Sequence, residues 1–190
     1  IHFDELVVSY KEQINGLHEG GCDILFIETV FDTLNAKAAL MAVDNYFDEN
    51  NISIPVMLSG TITDKSGRTL SGQTVNAFLI SISHFPLLSV GFNCALGTKD
   101  LKPYMKRLSD STDFYTSSHP NAGLPNAFGE YDQSPENMIE QMKEYLDESL
   151  VNIIGGCCGT TYEHIELLSR VVKKYEPRKI QMEKYNFTCF

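Results

Sequence analysis

The sequence predicts an α/β protein in which an N-terminal helix is followed by five strand–helix units. Short apolar runs alternate with stretches of helical periodicity, and the runs recur roughly every 27 to 37 residues, the spacing of parallel βα units. Most of the runs are apolar on both faces, as expected for parallel strands covered by helices. Polar residues collect where the runs end, and in a parallel sheet this places them along one edge.

Caps, glycines and periodicity set the boundaries of the predicted elements. Gly20-Gly21 ends the first helix, and Ser134-Pro135 is a cap and first-turn pair that starts the fifth. Thr160 followed three residues later by Glu163 is a capping-box pattern that opens the last helix, on which His164 is expected to be exposed. In chain order, the predicted elements are a helix from about Asp4 to Glu19, a strand Ile24–Ile27 ending in Glu28, a helix from about Thr33, a strand Ile54–Ser59, a helix marked by Val75–Ile82, a strand Leu87–Phe92, a helix marked by Leu101–Leu108, a strand Phe114–Ser118, a helix from Pro135, a strand Val151–Ile154 and a helix that carries Ile165, Leu168 and Val172.

Both an open doubly wound sheet and a (β/α)8 TIM barrel produce this pattern. An open sheet gathers its ligands at one crevice, whereas here polar residues follow every strand, which favours the mouth of a barrel. These residues are Glu28, Ser59, Asn93-Cys94, His119–Asn121 and Cys157-Cys158. No Gly-x-Gly-x-x-Gly motif follows the first strand and there is no P-loop, so nucleotide binding lacks support. Five strands cannot close a barrel of eight, so we expect the C-terminal five βα units of a truncated barrel.

Composition narrows the class of protein. The chain has 190 residues and a formal charge of −10, with no cluster of Lys and Arg, which argues against nucleic acid or an anionic membrane surface as a partner. No apolar run approaches the roughly 20 residues of a membrane span, and no signal peptide is recognisable. We therefore expect one domain over residues 1–179, a linker or tail over 180–190 where periodicity is lost, and a cytoplasmic location.

The five cysteines, an odd number, indicate free thiols used for a metal or for catalysis rather than disulfides. Cys94 and the Cys157-Cys158 pair lie at predicted strand ends, where three thiolates would leave one position of a zinc ion open, as in catalytic zinc sites. Three cysteines that only pack in the interior are the competing interpretation, because free cysteine is often buried. Cys22 and Cys189 are expected to have no functional role.

Three motifs resemble the homocysteine-binding domain of cobalamin-dependent methionine synthase. They are Gly91-Phe92-Asn93-Cys94-Ala95-Leu96-Gly97, His119-Pro120-Asn121-Ala122-Gly123 and Gly155-Gly156-Cys157-Cys158-Gly159-Thr160-Thr161. The resemblance extends from about residue 5 to residue 179 and includes the stretches that begin at Glu28 and Ser59. The first three strands of the family's barrel have no counterpart in this sequence.

The resemblance implies that Cys94, Cys157 and Cys158 hold a zinc ion that binds the homocysteine sulfur. The methyl group would come from methylcobalamin on a separate domain and be replenished there from methyltetrahydrofolate, so the partners would be homocysteine and these domains. Betaine- or S-methylmethionine-dependent relatives share the three-cysteine site, and an inactive zinc-binding scaffold is a further alternative. Without the first strands, the fragment alone is expected to be inactive and to self-associate.

The resemblance also implies that Glu28 and Asn121 bind the substrate, with no catalytic residue beyond the zinc site. Glu28 would receive the substrate ammonium, although a carboxylate at a strand end also commonly caps the next helix. Asn121 lies in a turn that Asn and Gly favour for backbone reasons alone. His119 is a weaker candidate for the site.

Overall fold

The computed structural model describes residues 2–63 and 65–180, and in them an N-terminal helix is followed by five alternating strands and helices. This is the element order predicted from the sequence. The bounds are α1 Phe3–Glu19, β1 Leu25–Val30, α2 Thr33–Asn50, β2 Val56–Gly60, α3 Val75–Ile82, β3 Ser89–Gly97, α4 Thr98–Ser109, β4 Tyr115–Asn121, α5 Pro135–Asp147, β5 Ile153–Ile154 and α6 Tyr162–Val172.

The five strands form one parallel sheet in the order β1-β2-β3-β4-β5. Each strand pairs with the next one along the chain, so the order never reverses as it does in a doubly wound sheet. Consecutive parallel strands joined by helices are the arrangement of a (β/α)8 barrel. The predicted fold class is therefore confirmed, with five of the eight units present in the described residues.

The core lies between the sheet and the helices, on the faces that helical periodicity predicts. Leu40 and Val43 of α2 and Leu101 and Met105 of α4 are each at most 1% exposed. Burying a side chain of this size stabilises the fold by about 1.5–3 kcal/mol relative to leaving it exposed. Phe47, also expected to face inward, is only partly buried and packs at the edge of the same core.

β2 and β4 continue past their predicted ends to Gly60 and Asn121. β1 and β3 also continue, and there bulges hold residues that the sequence pattern places in loops. β1 runs to Val30 and β3 runs to Gly97, so Glu28 and Cys94 lie within strands rather than after them. The register shifts between Ile27 and Val30 in the first case, and between Asn93 and Gly97 in the second. A bulge inserts an unpaired residue and re-aims side chains, and apolar patterning does not reveal it.

The last strand is shorter than predicted. Only Ile153–Ile154 pairs with β4, while Val151 and Asn152 precede the strand. Before the strand, the Asn152 N–H donates to the Thr116 carbonyl at 2.8 Å, while the Thr116 N–H donates to the side-chain Oδ1 of Asn152 at 3.0 Å. A side chain thus takes the place of a backbone acceptor at this end of the sheet.

Helix α6 begins one residue later than the capping-box pattern predicts. Its N-cap is Thr161, not Thr160, so the third helical position is His164 rather than Glu163. His164 is only 5% exposed, so the expectation that it is exposed was wrong. Its Nδ1 accepts from the Thr161 N–H at 3.1 Å, and its Nε2 lies 3.0 Å from the Gln133 carbonyl oxygen. The imidazole therefore caps the helix and ties it to the loop before α5.

The segment after α6 is anchored at the amino end of the sheet by Arg178, which is 8% exposed. Its guanidinium donates hydrogen bonds to the carbonyl oxygens of Ser109, Thr112 and Phe114. This anchor lies within the predicted domain of residues 1–179. The predicted tail of residues 180–190 lies, apart from Ile180, outside the described residues. No helix in the described part of the chain is both long and apolar enough to cross a membrane.

Candidate metal centre

Three of the five cysteines bring their sulfur atoms together at the carboxyl ends of β3 and β5. The Sγ atoms of Cys94 and Cys158 are 3.6 Å apart, and those of Cys157 and Cys158 are 4.0 Å apart. All three sulfurs lie within 4.8 Å of one another, and all three residues are half-buried and free of disulfides. The long separation in sequence between Cys94 and Cys157 is closed by two intervening βα units.

Cys94 reaches the centre because β3 bulges at this point. Cys94 has a φ of +62° and Ala95 a φ of +58°, both in the left-handed region that residues with a side chain rarely adopt. Each such residue costs about 1–2 kcal/mol relative to an ordinary backbone conformation. The surrounding strands hold this strained turn, which points the Cys94 sulfur towards β5.

The carboxyl end of β4 holds the Cys157-Cys158 turn. The Cys157 N–H donates to the Pro120 carbonyl at 2.9 Å, and the Cys158 N–H donates to Oδ1 of Asn121 at 3.1 Å. The Cys158 carbonyl accepts from the Ala122 N–H at 2.9 Å. These bonds fix the turn's backbone from the side of β4.

Gly159 completes the turn because no other residue fits there easily. Its φ is +77°, and a Cβ at this position would lie 2.2 Å from Cβ of Tyr131. The phenol of Tyr131 lies beside the sulfurs, and its pKa is raised by burial and by a hydrogen bond to Cys158. The cysteine turn is therefore packed on its outer side by an aromatic ring.

The sulfur cluster fits a zinc ion. Tetrahedral zinc with Zn–S bonds of about 2.3 Å separates its sulfurs by about 3.8 Å, and the observed separations of 3.6 and 4.0 Å lie on either side of this value. Thiolates are soft ligands that suit zinc better than magnesium or calcium. Three protein sulfurs leave one of four positions for another ligand, which distinguishes catalytic from structural zinc sites.

The protonation of Cys157 opposes metal binding. Burial raises the pKa of its thiol to about 11, and the nearby Cys94 adds to the shift, while a hydrogen bond from Asn93 lowers it. The thiol is therefore protonated at neutral pH until a cation replaces the proton. Metal binding at this centre must release at least this proton.

We expect the apparent affinity for zinc to rise at least about tenfold per pH unit between pH 6 and 8, because the metal displaces the Cys157 proton throughout this range. The sign follows from the raised pKa, since a lower pH favours the thiol that competes with the metal. Competition with a chelator of known proton affinity measures the slope. An affinity independent of pH would show that Cys157 binds no metal.

Asn93 is a residue that the sequence pattern places at the polar edge of the sheet without assigning it a role in the site. It is fully buried between β1, β2 and the cysteines, and its Oδ1 accepts from the Ser59 hydroxyl at 2.7 Å. The signal was present, because an amide at the end of an apolar strand must find partners if it is buried. The same hydrogen bond explains why Ser59, another polar residue at a strand end, can be buried.

Glu28 and Asn121, the predicted substrate-binding residues, lie on the same edge of the sheet as the cysteines. Glu28 is exposed in the carboxyl half of β1, and Asn121 is buried at the carboxyl end of β4. Helix α2 is capped by Asp32, whose Oδ1 accepts from the Leu34 N–H at 2.7 Å, so Glu28 is not its cap.

His119 and Cys22 fall outside the sulfur cluster. Burial lowers the pKa of His119, so its imidazole is neutral at physiological pH, and its Nδ1 has no hydrogen-bond partner in the described residues. Its ring packs against Gly155, where a Cβ would lie 2.6 Å from the imidazole. Cys22 packs beside the main core instead, and Cys189 lies outside the described residues.

The fold and the site together define a class: a parallel α/β barrel protein with three cysteines at the carboxyl ends of its strands that could hold a metal ion. The family model of homocysteine S-methyltransferases matches residues 1–172. The chain belongs to the homocysteine S-methyltransferase family.

A solved structure has a similar fold. It is the crystal structure of the homocysteine methyltransferase MmuM from Escherichia coli in its apo form, with a TM-score of 0.69 and 18% sequence identity. The match covers 90% of this chain and 57% of that enzyme, so the chain spans little more than half the length of its structural relative.

Proposed function

We propose that this chain binds homocysteine and presents its sulfur as a thiolate for methyl transfer, giving methionine. The observation that carries the proposal is the convergence of the Cys94, Cys157 and Cys158 sulfurs in a chain of the homocysteine S-methyltransferase family. When bound, zinc supplies a Lewis acid that keeps a ligating thiol deprotonated at neutral pH. The three cysteines hold the ion and leave one position for the substrate sulfur.

Glu28 and Asn121 are proposed to bind the amino-acid end of homocysteine. The Glu28 carboxylate is exposed and has no ion pair among the described residues, so it can accept the substrate ammonium. Asn121 uses its Oδ1 on the Cys158 backbone, which leaves its Nδ2 to donate to the substrate carboxylate. The substrate would then lie between β1 and β4 with its sulfur over the cysteines.

We propose methylcobalamin as the methyl donor, because the motifs around the three cysteines resemble those of cobalamin-dependent methionine synthase. The partners would then be the cobalamin- and methyltetrahydrofolate-binding domains of a longer protein. A small donor such as betaine or S-methylmethionine is the second candidate, favoured by the likeness of fold to the homocysteine methyltransferase MmuM. Methionine formation from each donor, measured with the full-length protein, separates the two.

The zinc-loaded chain is expected to bind homocysteine with release of about one proton near neutral pH, because the substrate binds as a thiolate and a free thiol has a pKa of about 8.5. Calorimetry in two buffers of different ionisation enthalpy counts the proton. The affinity is expected to be weak, since part of the amino-acid pocket would come from the first strands of the barrel.

Homoserine is the matched control, because its hydroxyl has a much higher pKa and a harder donor atom than the thiol. We expect it to bind far more weakly than homocysteine. Homocysteine binding without proton release, or equally strong after removal of zinc, would refute the proposed function.

Self-association of the chain, its cytoplasmic location and its inactivity without the rest of the barrel stay predictions. The first of these is checked by light scattering at micromolar concentration.

A further inference from the structure

The side chain of Asn93 uses all the hydrogen-bonding capacity of its amide. Its Oδ1 accepts from the Thr29 N–H at 2.9 Å and from the Ser59 hydroxyl at 2.7 Å. Its Nδ2 lies 2.8 Å from Oγ1 of Thr29 and 3.9 Å from Sγ of Cys157. An amide oxygen has two lone pairs and an amide nitrogen two hydrogens, so these four contacts account for every one of them.

The orientation of this amide follows from its partners. The backbone N–H of Thr29 can only donate, so the atom facing it must be the amide oxygen. Thr29 is unpaired in the ladder between β1 and β2 and has a φ of +58°, which leaves its N–H free to bond Asn93. With the oxygen fixed on that side, the Nδ2 hydrogens point to Oγ1 of Thr29 and to the Cys157 sulfur.

The three sulfurs of the cluster therefore differ. Cys157 has an amide donor beside its sulfur, and Cys158 has the Tyr131 phenol. The Cys94 sulfur lies beside the Cys158 sulfur and has neither of these donors. A hydrogen bond to a thiolate is charge-assisted and draws electron density from the sulfur. Groups that bond metal ligands in this way tune the affinity and reactivity of the metal centre.

We infer that Asn93 is a positioning residue that donates a hydrogen bond to the metal-bound sulfur of Cys157 and makes this ligand less electron-rich than Cys94. This rests on the metal centre of the proposed function. Thr29 of β1 and Ser59 of β2 fix the orientation of the Asn93 amide, and the amide in turn orients the Cys157 sulfur towards the ion. It also lowers the reactivity of that one sulfur towards a methyl donor.

Cobalt(II) reports the proposed bond, because thiolate-to-cobalt charge transfer depends on the electron density at each sulfur. The test uses the full chain loaded with Co²⁺ and the Asn93→Asp variant, which keeps the shape of the side chain and removes both N–H donors. We expect the charge-transfer band of the variant at longer wavelength, and its affinity for Co²⁺ lower by about 10- to 100-fold.

Ser117→Ala is the matched control, because Ser117 is a fully buried polar residue of β4 whose hydroxyl makes no hydrogen bond in the described part of the chain. Its spectrum should be that of the wild type.

Thr29→Val removes only the Oγ1 partner of Nδ2 and retains the branched side chain at a positive φ. It should shift the band in the same direction by a smaller amount, and it tests the inference even if Asn93→Asp does not fold.

The outcomes separate the inference from the proposed function. A wild-type protein without a thiolate-to-cobalt band would overturn the metal centre and the role of Asn93 with it. A wild-type band that is unchanged in Asn93→Asp and Thr29→Val, with only a lower stability to unfolding, would leave the metal centre standing and overturn the inference. A shift in both variants and none in Ser117→Ala supports it.

Discussion

Replacing any one of Cys94, Cys157 and Cys158 with serine is expected to weaken zinc binding by more than about 100-fold. Removing a group that only hydrogen-bonds a metal ligand already lowers metal affinity by about 10- to 100-fold, and here a ligand itself is lost. Each change removes one of three sulfurs that lie within 4.8 Å of one another. Serine has nearly the shape of cysteine but a hard oxygen that stays protonated at neutral pH. Zinc content after dialysis, together with chelator competition, measures the effect.

Cys22→Ser is the control, because Cys22 is half-buried beside the main core and lies outside the sulfur cluster. It should leave zinc content unchanged, and the same is predicted for Cys189→Ser, which lies outside the described residues. Equal zinc content in all five variants would remove the assignment of the metal centre. A loss confined to one or two of the three cysteines would change the ligand set.

Gly91→Ala is expected to lower the free energy of unfolding by about 3 kcal/mol or more, the upper range for overpacking a core. Gly91 pairs with Ser117 where β3 and β4 lie side by side. A Cβ on Gly91 would lie 2.0 Å from the backbone oxygen of Ser117, so the strands themselves would have to separate. Chemical denaturation, followed by circular dichroism, measures the change.

Gly16→Ala is the matched control with the opposite sign. Gly16 lies within α1, and a Cβ there would meet nothing within 4 Å. Alanine favours the helix over glycine by about 0.5–1 kcal/mol, so this variant should be slightly more stable than the wild type. If Gly91→Ala were as stable as Gly16→Ala, the close approach of β3 and β4 would not constrain residue 91.

Local patterns were sufficient to predict the element order and the edge that carries the site. Residues close together in sequence predicted the apolar face of α2 and the start of α5 at Ser134-Pro135. The structure confirms both predictions. Parallel strands then place their carboxyl ends together, so Cys94 and the Cys157-Cys158 pair could be assigned to one edge before any distance was known.

Patterns failed where a contact from a distant strand decides the conformation. The capping-box rule could not choose between Thr160 and Thr161, because the choice depends on His164 reaching the Gln133 carbonyl in another loop. The rule considers only residues three apart. The extension of β3 past Asn93 was missed for the same reason, since its bulge is held by bonds to β1 and β2.

By itself, the sequence determined the α/β class, the five strand–helix units and the three cysteines as the candidate metal ligands, because periodicity, caps and residue chemistry are local properties. Only the tertiary structure decided that the Cys94 and Cys158 sulfurs are 3.6 Å apart and that Asn93 bonds Thr29, Ser59 and Cys157 at once. Distances of this kind depend on strand register and on strained turns at Thr29 and Cys94. Those turns have a cost that only packing across several strands can offset.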